Sequence, residues 1–370
     1  MFRLSNLIAS VVEGKKERTL DGAIAIWNLT NRCNLTCKHC YSYADANSED
    51  FLDTKTILET IPELKKGGIK FVIFSGGEPL IRRDIFDIAK AMREQGIITY
   101  LSTNGLYISE KNIEQIIKHF NYIGISIDGI EEVHDNFRGL KGAFKKSIEA
   151  IKLVQANGSN AGIRFTLTKE TKDNFYDIFK LAEDIKVDKI YISHLVYSGR
   201  GLDNLKIDIT KDERREFVKF IINKAFEYYE QKRGIDIVTG NMEMDAILFL
   251  DEFSKRYPNL REELKNRLLK WGGNSAGRRL VNIDWLGNVK PDPFFPFTVG
   301  NITKTPFSKI WLNEDDEILK RLREHPRRLG GYCSDCEHIA ICNGGSRSRA
   351  WAIYGDLWAQ DSSCYIQEGV

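Results

Sequence analysis

Ala23-Ile24-Ala25-Ile26-Trp27-Asn28-Leu29 runs without a break into Thr30-Asn31-Arg32-Cys33-Asn34-Leu35-Thr36-Cys37-Lys38-His39-Cys40. The apolar run reads as a buried strand, and the loop that follows holds three thiols at CxxxCxxC spacing. A four-iron cubane needs four ligands to be closed, so three thiolates on one short loop leave one iron open for chemistry. The alternative is structural zinc, with His39 or a distant residue as fourth ligand. Such zinc sites commonly use two short Cys pairs set apart, not three thiols in one loop.

Outward from that strand, short β-branched runs at residues 71–74, 97–101, 122–127, 162–167 and 189–194 alternate with helical patterns. Ile57, Leu58, Ile61 and Leu64 recur at helical spacing, as do Ile113, Ile116, Ile117 and Phe120, and Gly67-Gly68 ends the first of these helices. Six βα units in series require parallel pairing with crossovers, and the expected fold is α/β, a partial (β/α)6 TIM-like barrel. Reactive groups in such barrels sit on loops leaving the C-terminal ends of the strands. The cysteine loop, Ser75-Gly76-Gly77-Glu78-Pro79, Ser102-Thr103-Asn104-Gly105, Ser126-Ile127-Asp128-Gly129 and His194 onward all lie there.

The chain divides into an N-terminal extension at 1–22, the barrel at 23–205, a helical linker at 206–270 and a small C-terminal domain at 271–370. In the last, residues 280–284 and 288–290 flank Trp285-Leu286-Gly287 as a β-hairpin. The 370 residues suit one large domain and a small one. A formal net charge of only +2 carries no basic excess for nucleic acid or a membrane surface. Residues 1–22 lack the long apolar core of a signal peptide, and no apolar run reaches the roughly 18 residues of a membrane span, so a cytoplasmic location is expected. The seven cysteines fall as three near the start and four near the end, Cys333, Cys336, Cys342 and Cys364. That clustering points to metal or redox chemistry rather than a disulfide framework.

Cys33, Cys37 and Cys40 after a first strand, with Gly76-Gly77-Glu78-Pro79 after the second, resemble the radical S-adenosylmethionine superfamily. The resemblance implies a 4Fe-4S cluster on Cys33, Cys37 and Cys40 whose open iron binds S-adenosyl-L-methionine and yields a deoxyadenosyl radical. It implies that Gly76, Gly77, Glu78 and Pro79 receive the methionine amino group and that Asn104 and Ser126 lie near the ribose or carboxylate. Arg164 is a candidate partner for that carboxylate, since a guanidinium fits it bidentately; a surface ion pair is the plain alternative. His39 holds the place of an aromatic residue that packs near adenine.

The four later cysteines can close a second 4Fe-4S cluster, with closed zinc as the alternative. The hairpin before them resembles the twitch or SPASM-like auxiliary domain of the same superfamily, with Asp292 where the larger version has a cysteine. Further stretches, among them Val238-Thr239-Gly240-Asn241 and Trp271-Gly272-Gly273-Asn274, resemble the branch of heme d1 biosynthesis, next to didecarboxysiroheme deacetylases and, more distantly, peptide maturases. The implied substrate is an iron tetrapyrrole with carboxylate side chains, and the implied partner is an electron donor such as flavodoxin or ferredoxin. His194, Arg200, Arg347 and Arg349 are the candidate substrate contacts; Phe294, Phe295 and Phe297 read as core packing before they read as a wall for a flat ring. The basic run at 320–328 reads as a solvated helix end.

Overall fold

The six runs read as strands are strands in the computed structural model, which describes residues 1–15 and 22–366. In chain order the strands are β1 (Phe2–Arg3), β2 (Ala23–Asn28), β3 (Ile69–Ser75), β4 (Ile98–Thr103), β5 (Tyr122–Ser126), β6 (Ala161–Leu167), β7 (Lys189–His194), β8 (Asp236–Gly240), β9 (Leu280–Ile283), β10 (Asn288–Lys290) and β11 (Gly300–Asn301). They form one sheet in the order β1-β8-β7-β6-β5-β4-β3-β2-β9-β10-β11. From β2 to β8 each strand pairs in parallel with the next in the chain. Crossovers that always step the same way put the connecting helices on one face, so the sheet curls into an open barrel with its lumen on the other.

Local chemistry sets the element ends. Asp53 accepts from the Thr56 amide at 2.7 Å and caps the helix Thr54–Lys66, which stops at Gly67 as its Gly-Gly pair predicts. That helix buries Ile57, Ile61 and Leu64 and exposes Leu58. Trp27 on β2 and Phe74 on β3 are fully buried, and each large apolar side chain so removed from water stabilises the fold by roughly 1.5–3 kcal/mol.

One expectation needs correction. The span 206–270 is not only helical: between the helices Lys211–Glu230 and Asp245–Arg256 it contributes β8, a seventh strand of the parallel series. Its short run, Asp236-Ile237-Val238-Thr239-Gly240, is too brief for periodicity to separate it from its helical neighbours. The N-terminal extension joins the sheet. Phe2 and Arg3 pair antiparallel with Thr239 and Val238, and the helix Leu4–Val12 buries Leu4, Leu7, Ile8 and Val11. Residues 16–21 of that segment, and 367–370 at the far end, lie outside the described residues.

The predicted hairpin is present as β9 and β10, with Val289 opposite Ile283 and Lys290 opposite Asn282. It is fused to the barrel. β9 pairs in parallel with β2, from Ile24 against Leu280 to Trp27 against Ile283, and covers what would otherwise be an exposed sheet edge. Among the described residues no helix is long and apolar enough to cross a membrane.

Candidate active site

Three backbone approaches fix the cysteine loop. The loop after β3 lies against it, with the Gly77 amide donating to the Thr30 carbonyl and the Glu78 amide to the Arg32 carbonyl, both at 2.8 Å. Only glycine fits there, since a Cβ on Gly76 would stand 2.3 Å from the Thr30 oxygen and one on Gly77 2.2 Å from the Arg32 oxygen. From the helix Glu132–Arg138, the carbonyls of Phe137 and Arg138 accept from the Lys38 and Thr36 amides. From the loop after β7, the Arg200 amide donates to the Cys40 carbonyl at 2.8 Å. Gly199, at φ +56°, passes so close that a Cβ would meet the Tyr41 carbonyl carbon at 2.4 Å.

Held this way, Cys33, Cys37 and Cys40 line a cavity of about 1170 Å³ that occupies the barrel lumen. Burial pushes the Cys33 thiol up to about 12 and the Cys37 thiol up as well. Two cations oppose this at Cys37, Arg138 more strongly than Arg200. Arg138 is buried, donates from Nε to Asp128 Oδ2 at 2.7 Å and turns Nη1 toward Cys37 Sγ at 3.7 Å. His39 stacks flat on Phe137, with ring centroids 4.6 Å apart, and its Nε2 stands 3.9 Å from Asp128. Burial drives the His39 imidazole down to about 4, so it is neutral at physiological pH, and its Nδ1 has no protein partner.

Gly76, Gly77, Asn104, Ser126 and Arg164 also line the cavity. Asn104 donates from Nδ2 to Asn34 Oδ1 at 2.9 Å, which ties the β4 loop to the cysteine loop. Ser126 and Arg164 are register partners on β5 and β6. The Arg164 guanidinium rests 4.5 Å from the centroid of the Tyr191 ring and, among the described residues, forms no ion pair, so its expected alternative as a surface salt bridge is absent. Glu78 and Pro79 are buried beneath the loop and do not line the cavity. The Glu78 carboxylate accepts from Thr103 Oγ1 at 2.7 Å and the Asn104 amide at 2.8 Å, while burial raises its pKa to about 7.

The four proposed substrate contacts do other work. His194 Nδ1 accepts from Arg214 at 3.0 Å and Nε2 donates to Asp245 at 3.2 Å, a tautomer fixed because guanidinium only donates. Both nitrogens are spent inside the fold. Arg200 donates from Nε to the Cys37 carbonyl at 2.8 Å and from Nη2 to the Ala44 carbonyl at 2.9 Å, so its charge braces the cysteine loop. Arg347 is buried outside the main cavity and donates to the carbonyls of Gly344, Leu357 and Ala359. Arg349 grips Asp361 bidentately, at 2.8 and 2.7 Å, and reaches the Leu195 and Asn241 carbonyls. For Arg347 and Arg349 burial is the reason: a guanidinium taken out of water must spend its donors on fixed acceptors. In the run 320–328 the expectation fails at Arg327, which is 2% exposed and donates to Leu322, Asn274 and Ala276. Phe295 is core, whereas Phe294 lines the cavity edge-on to Tyr41 and Phe297 is partly exposed against Trp351.

Cys333, Cys336, Cys342 and Cys364 all line a second, smaller cavity of about 300 Å³, and the Gly344 amide points at Cys342 Sγ at 3.4 Å. No disulfide joins any of the seven cysteines. Among the described residues no group of three or more His, Cys, Asp or Glu stands as the ligand set of a single metal ion. Three thiolates on one loop and four around one small cavity are donor sets that iron-sulfur clusters take.

Residues 27–182 match the family model of the Radical SAM superfamily, and residues 275–337 match the SPASM model, an iron-sulfur cluster-binding domain. The chain is 38% identical to the pre-heme d1 synthase of Dinoroseobacter shibae, over 99% of this chain and 92% of that protein. It is 34% identical to the Fe-coproporphyrin III synthase of Methanosarcina barkeri, over 93% of this chain and 88% of that one. Among solved structures, Streptococcus suis SuiB bound to S-adenosylmethionine superposes with a TM-score of 0.70 at 18% identity, covering 93% of this chain and 77% of SuiB, a likeness of fold.

Proposed function

We propose, for a chain that belongs to the radical SAM superfamily and carries a SPASM-type second cluster domain, that its substrate is an iron tetrapyrrole and its product a precursor of heme d1. The reaction we assign is conversion of propionate side chains of 12,18-didecarboxysiroheme to oxo groups. The observation that carries this reading is full-length likeness to a pre-heme d1 synthase at 38% identity, ahead of the 34% to an Fe-coproporphyrin III synthase. The lumen supports it, since about 1170 Å³ exceeds the roughly 300–1,000 Å³ of ordinary small-molecule pockets and suits a macrocycle beside a nucleoside. An electron-transfer protein such as flavodoxin or ferredoxin would be the partner, in the cytoplasm.

When bound, the open cluster and S-adenosylmethionine supply the 5'-deoxyadenosyl radical, and the protein supplies position and shielding. Cys33, Cys37 and Cys40 hold the cluster at the cavity wall. Gly76 and Gly77 let the loop after β3 close against the cysteine loop, where any side chain would strike the Thr30 and Arg32 carbonyls, and both line the cavity beside it. Asn104 and Ser126 offer hydrogen bonds along the nucleoside. Arg164, facing the lumen without an acid, is available to a carboxylate. His39, neutral and stacked on Phe137, offers a flat apolar face that an imidazolium would not.

Anaerobically reconstituted protein, given didecarboxysiroheme, S-adenosylmethionine and a reductant, is expected to form 5'-deoxyadenosine and a tetrapyrrole that has lost propionates and gained oxygen. A product that has lost acetate groups instead assigns the deacetylase reaction. No change in the Soret band on mixing with the tetrapyrrole counts against both.

A further inference from the structure

Arg347 opens the helix Arg347–Tyr354 and is 0% exposed, yet it lines neither cavity. Its three side-chain nitrogens all go to carbonyls: Nε to Gly345 at 3.4 Å, Nη1 to Leu357 at 2.9 Å and Ala359 at 2.5 Å, and Nη2 to Gly344. Carbonyls satisfy the donors and leave the charge unmatched. Among the described residues Arg347 forms no ion pair, whereas Arg349, two residues on, holds Asp361 with two bonds. Its place also runs against the helix dipole, because the first turn of a helix favours acids and this one carries none.

The second cysteine set offers the missing anion. Gly344, which accepts from Arg347 Nη2, is the residue whose amide points at Cys342 Sγ at 3.4 Å. A Cβ on Gly344 would stand 3.3 Å from Nη2, so the guanidinium lies directly against that loop. The anionic groups acting on Arg347 are Asp361, Cys333, Cys342 and Glu243, in that order. Asp361 is already matched by Arg349, and Glu243, which also acts on Arg327, turns its Oε1 to Asn274. At Cys333 burial pushes the thiol up and Arg347 opposes it. A desolvated cation is tolerated where an opposite charge faces it, and four thiolates around one closed cluster carry net negative charge.

We propose that Arg347 is the built-in counter-charge of the second cluster and raises its reduction potential by favouring the more reduced, more negative state. A buried cation acts on a buried cluster through a low dielectric, where salt screens little. Arg138 at the first cluster differs, since it shares its charge with Asp128. The second cluster also stands close to the lumen. The Cys342 carbonyl accepts from the Asn274 amide at 3.1 Å, and Asn274 lines the main cavity while Cys342 lines the smaller one. At that contact a single pair of backbone segments parts the two.

The test is a potentiometric titration of reconstituted protein followed by electron paramagnetic resonance, with iron analysis beside it. S-adenosylmethionine alters the signal of the cluster with the open iron, so the signal it leaves unchanged reports the closed one. Arg347→Gln is expected to move the closed cluster's midpoint to a more negative value by about 59 mV, a roughly tenfold change in a one-electron equilibrium, with the open cluster's midpoint unchanged. Arg347→Lys keeps the charge, loses most of the donors, and is expected to stay near wild type. Equal shifts in the two variants, or no shift in Arg347→Gln, overturn the counter-charge. Should Arg347→Gln hold no second cluster, Arg347→Lys decides. A retained cluster at the wild-type midpoint supports the counter-charge; a shifted midpoint, or loss of the cluster in both variants, overturns it and leaves Arg347 a backbone brace only.

Discussion

Arg138 Nη1 stands 3.7 Å from Cys37 Sγ while Nε of the same guanidinium holds Asp128 at 2.7 Å. A positive hydrogen-bond donor at a cluster thiolate favours the more reduced, more negative state of the cluster and so raises its reduction potential. Arg138→Gln is expected to shift the potential of the cluster on Cys33, Cys37 and Cys40 to a more negative value, measured by spectroelectrochemical titration. Because the variant also strands the buried Asp128, it should lose about 3–5 kcal/mol of stability, with Arg138→Lys between the two. An unchanged potential in a variant that keeps its cluster would refute the link.

Arg200 and Arg164 both face the lumen yet should fail differently. Arg200 braces the carbonyls of Cys37 and Ala44, so Arg200→Ala is expected to lower iron and sulfide content after reconstitution. Arg164 touches no part of that loop in hydrogen bonding, so Arg164→Ala should keep its iron and instead weaken S-adenosylmethionine binding by about 1.5–3 kcal/mol, the worth of a charged hydrogen bond. Equilibrium dialysis of the ligand beside iron analysis separates the two outcomes.

His194 links Arg214 to Asp245, and Tyr365 closes the set by donating to Asp245 Oδ1 at 2.7 Å. His194→Ala leaves a buried acid and a buried guanidinium short of a partner. A loss of about 2–4 kcal/mol in unfolding free energy is expected, with tetrapyrrole affinity unchanged. Loss of affinity in a stably folded variant would return His194 to the list of ligand contacts.

Glu78 gives the fold a pH dependence of defined sign. Its folded pKa, raised by burial to about 7, exceeds the ordinary 4.5, so the folded protein holds a proton that the unfolded chain releases. Stability relative to Glu78→Gln is therefore full below about pH 4.5 and falls as pH rises through about 7, by about 3 kcal/mol in all. Denaturant midpoints of the two proteins across that window check it, and a parallel pair of curves refutes it.

Much of the barrel was legible because its signals are local: a cysteine spacing, a Gly-Gly pair, apolar runs of the right period. Arg138 was not, because nothing along the chain distinguishes it from any other arginine. Its meaning arises when the short helix Glu132–Arg138 folds back against a loop 101 residues earlier. Arg327 and Arg328 make the same point side by side. The sequence shows two adjacent cations, yet one is buried among carbonyls and the other is solvated, with a side chain 86% exposed. Arg200, Arg347 and Arg349 drew attention as charges for a substrate, and all three donate to backbone carbonyls, Arg347 and Arg349 from buried positions.

The parallel pairing of β9 with β2 joins two pieces of chain that each lead to a different cysteine set. Backbone hydrogen bonds do not slide by fractions of a residue, so the C-terminal domain can seat on the barrel edge only in whole-residue steps of that register. A slip of one residue would turn the inward side chains of β9 outward, so this seam forms in one register or not at all.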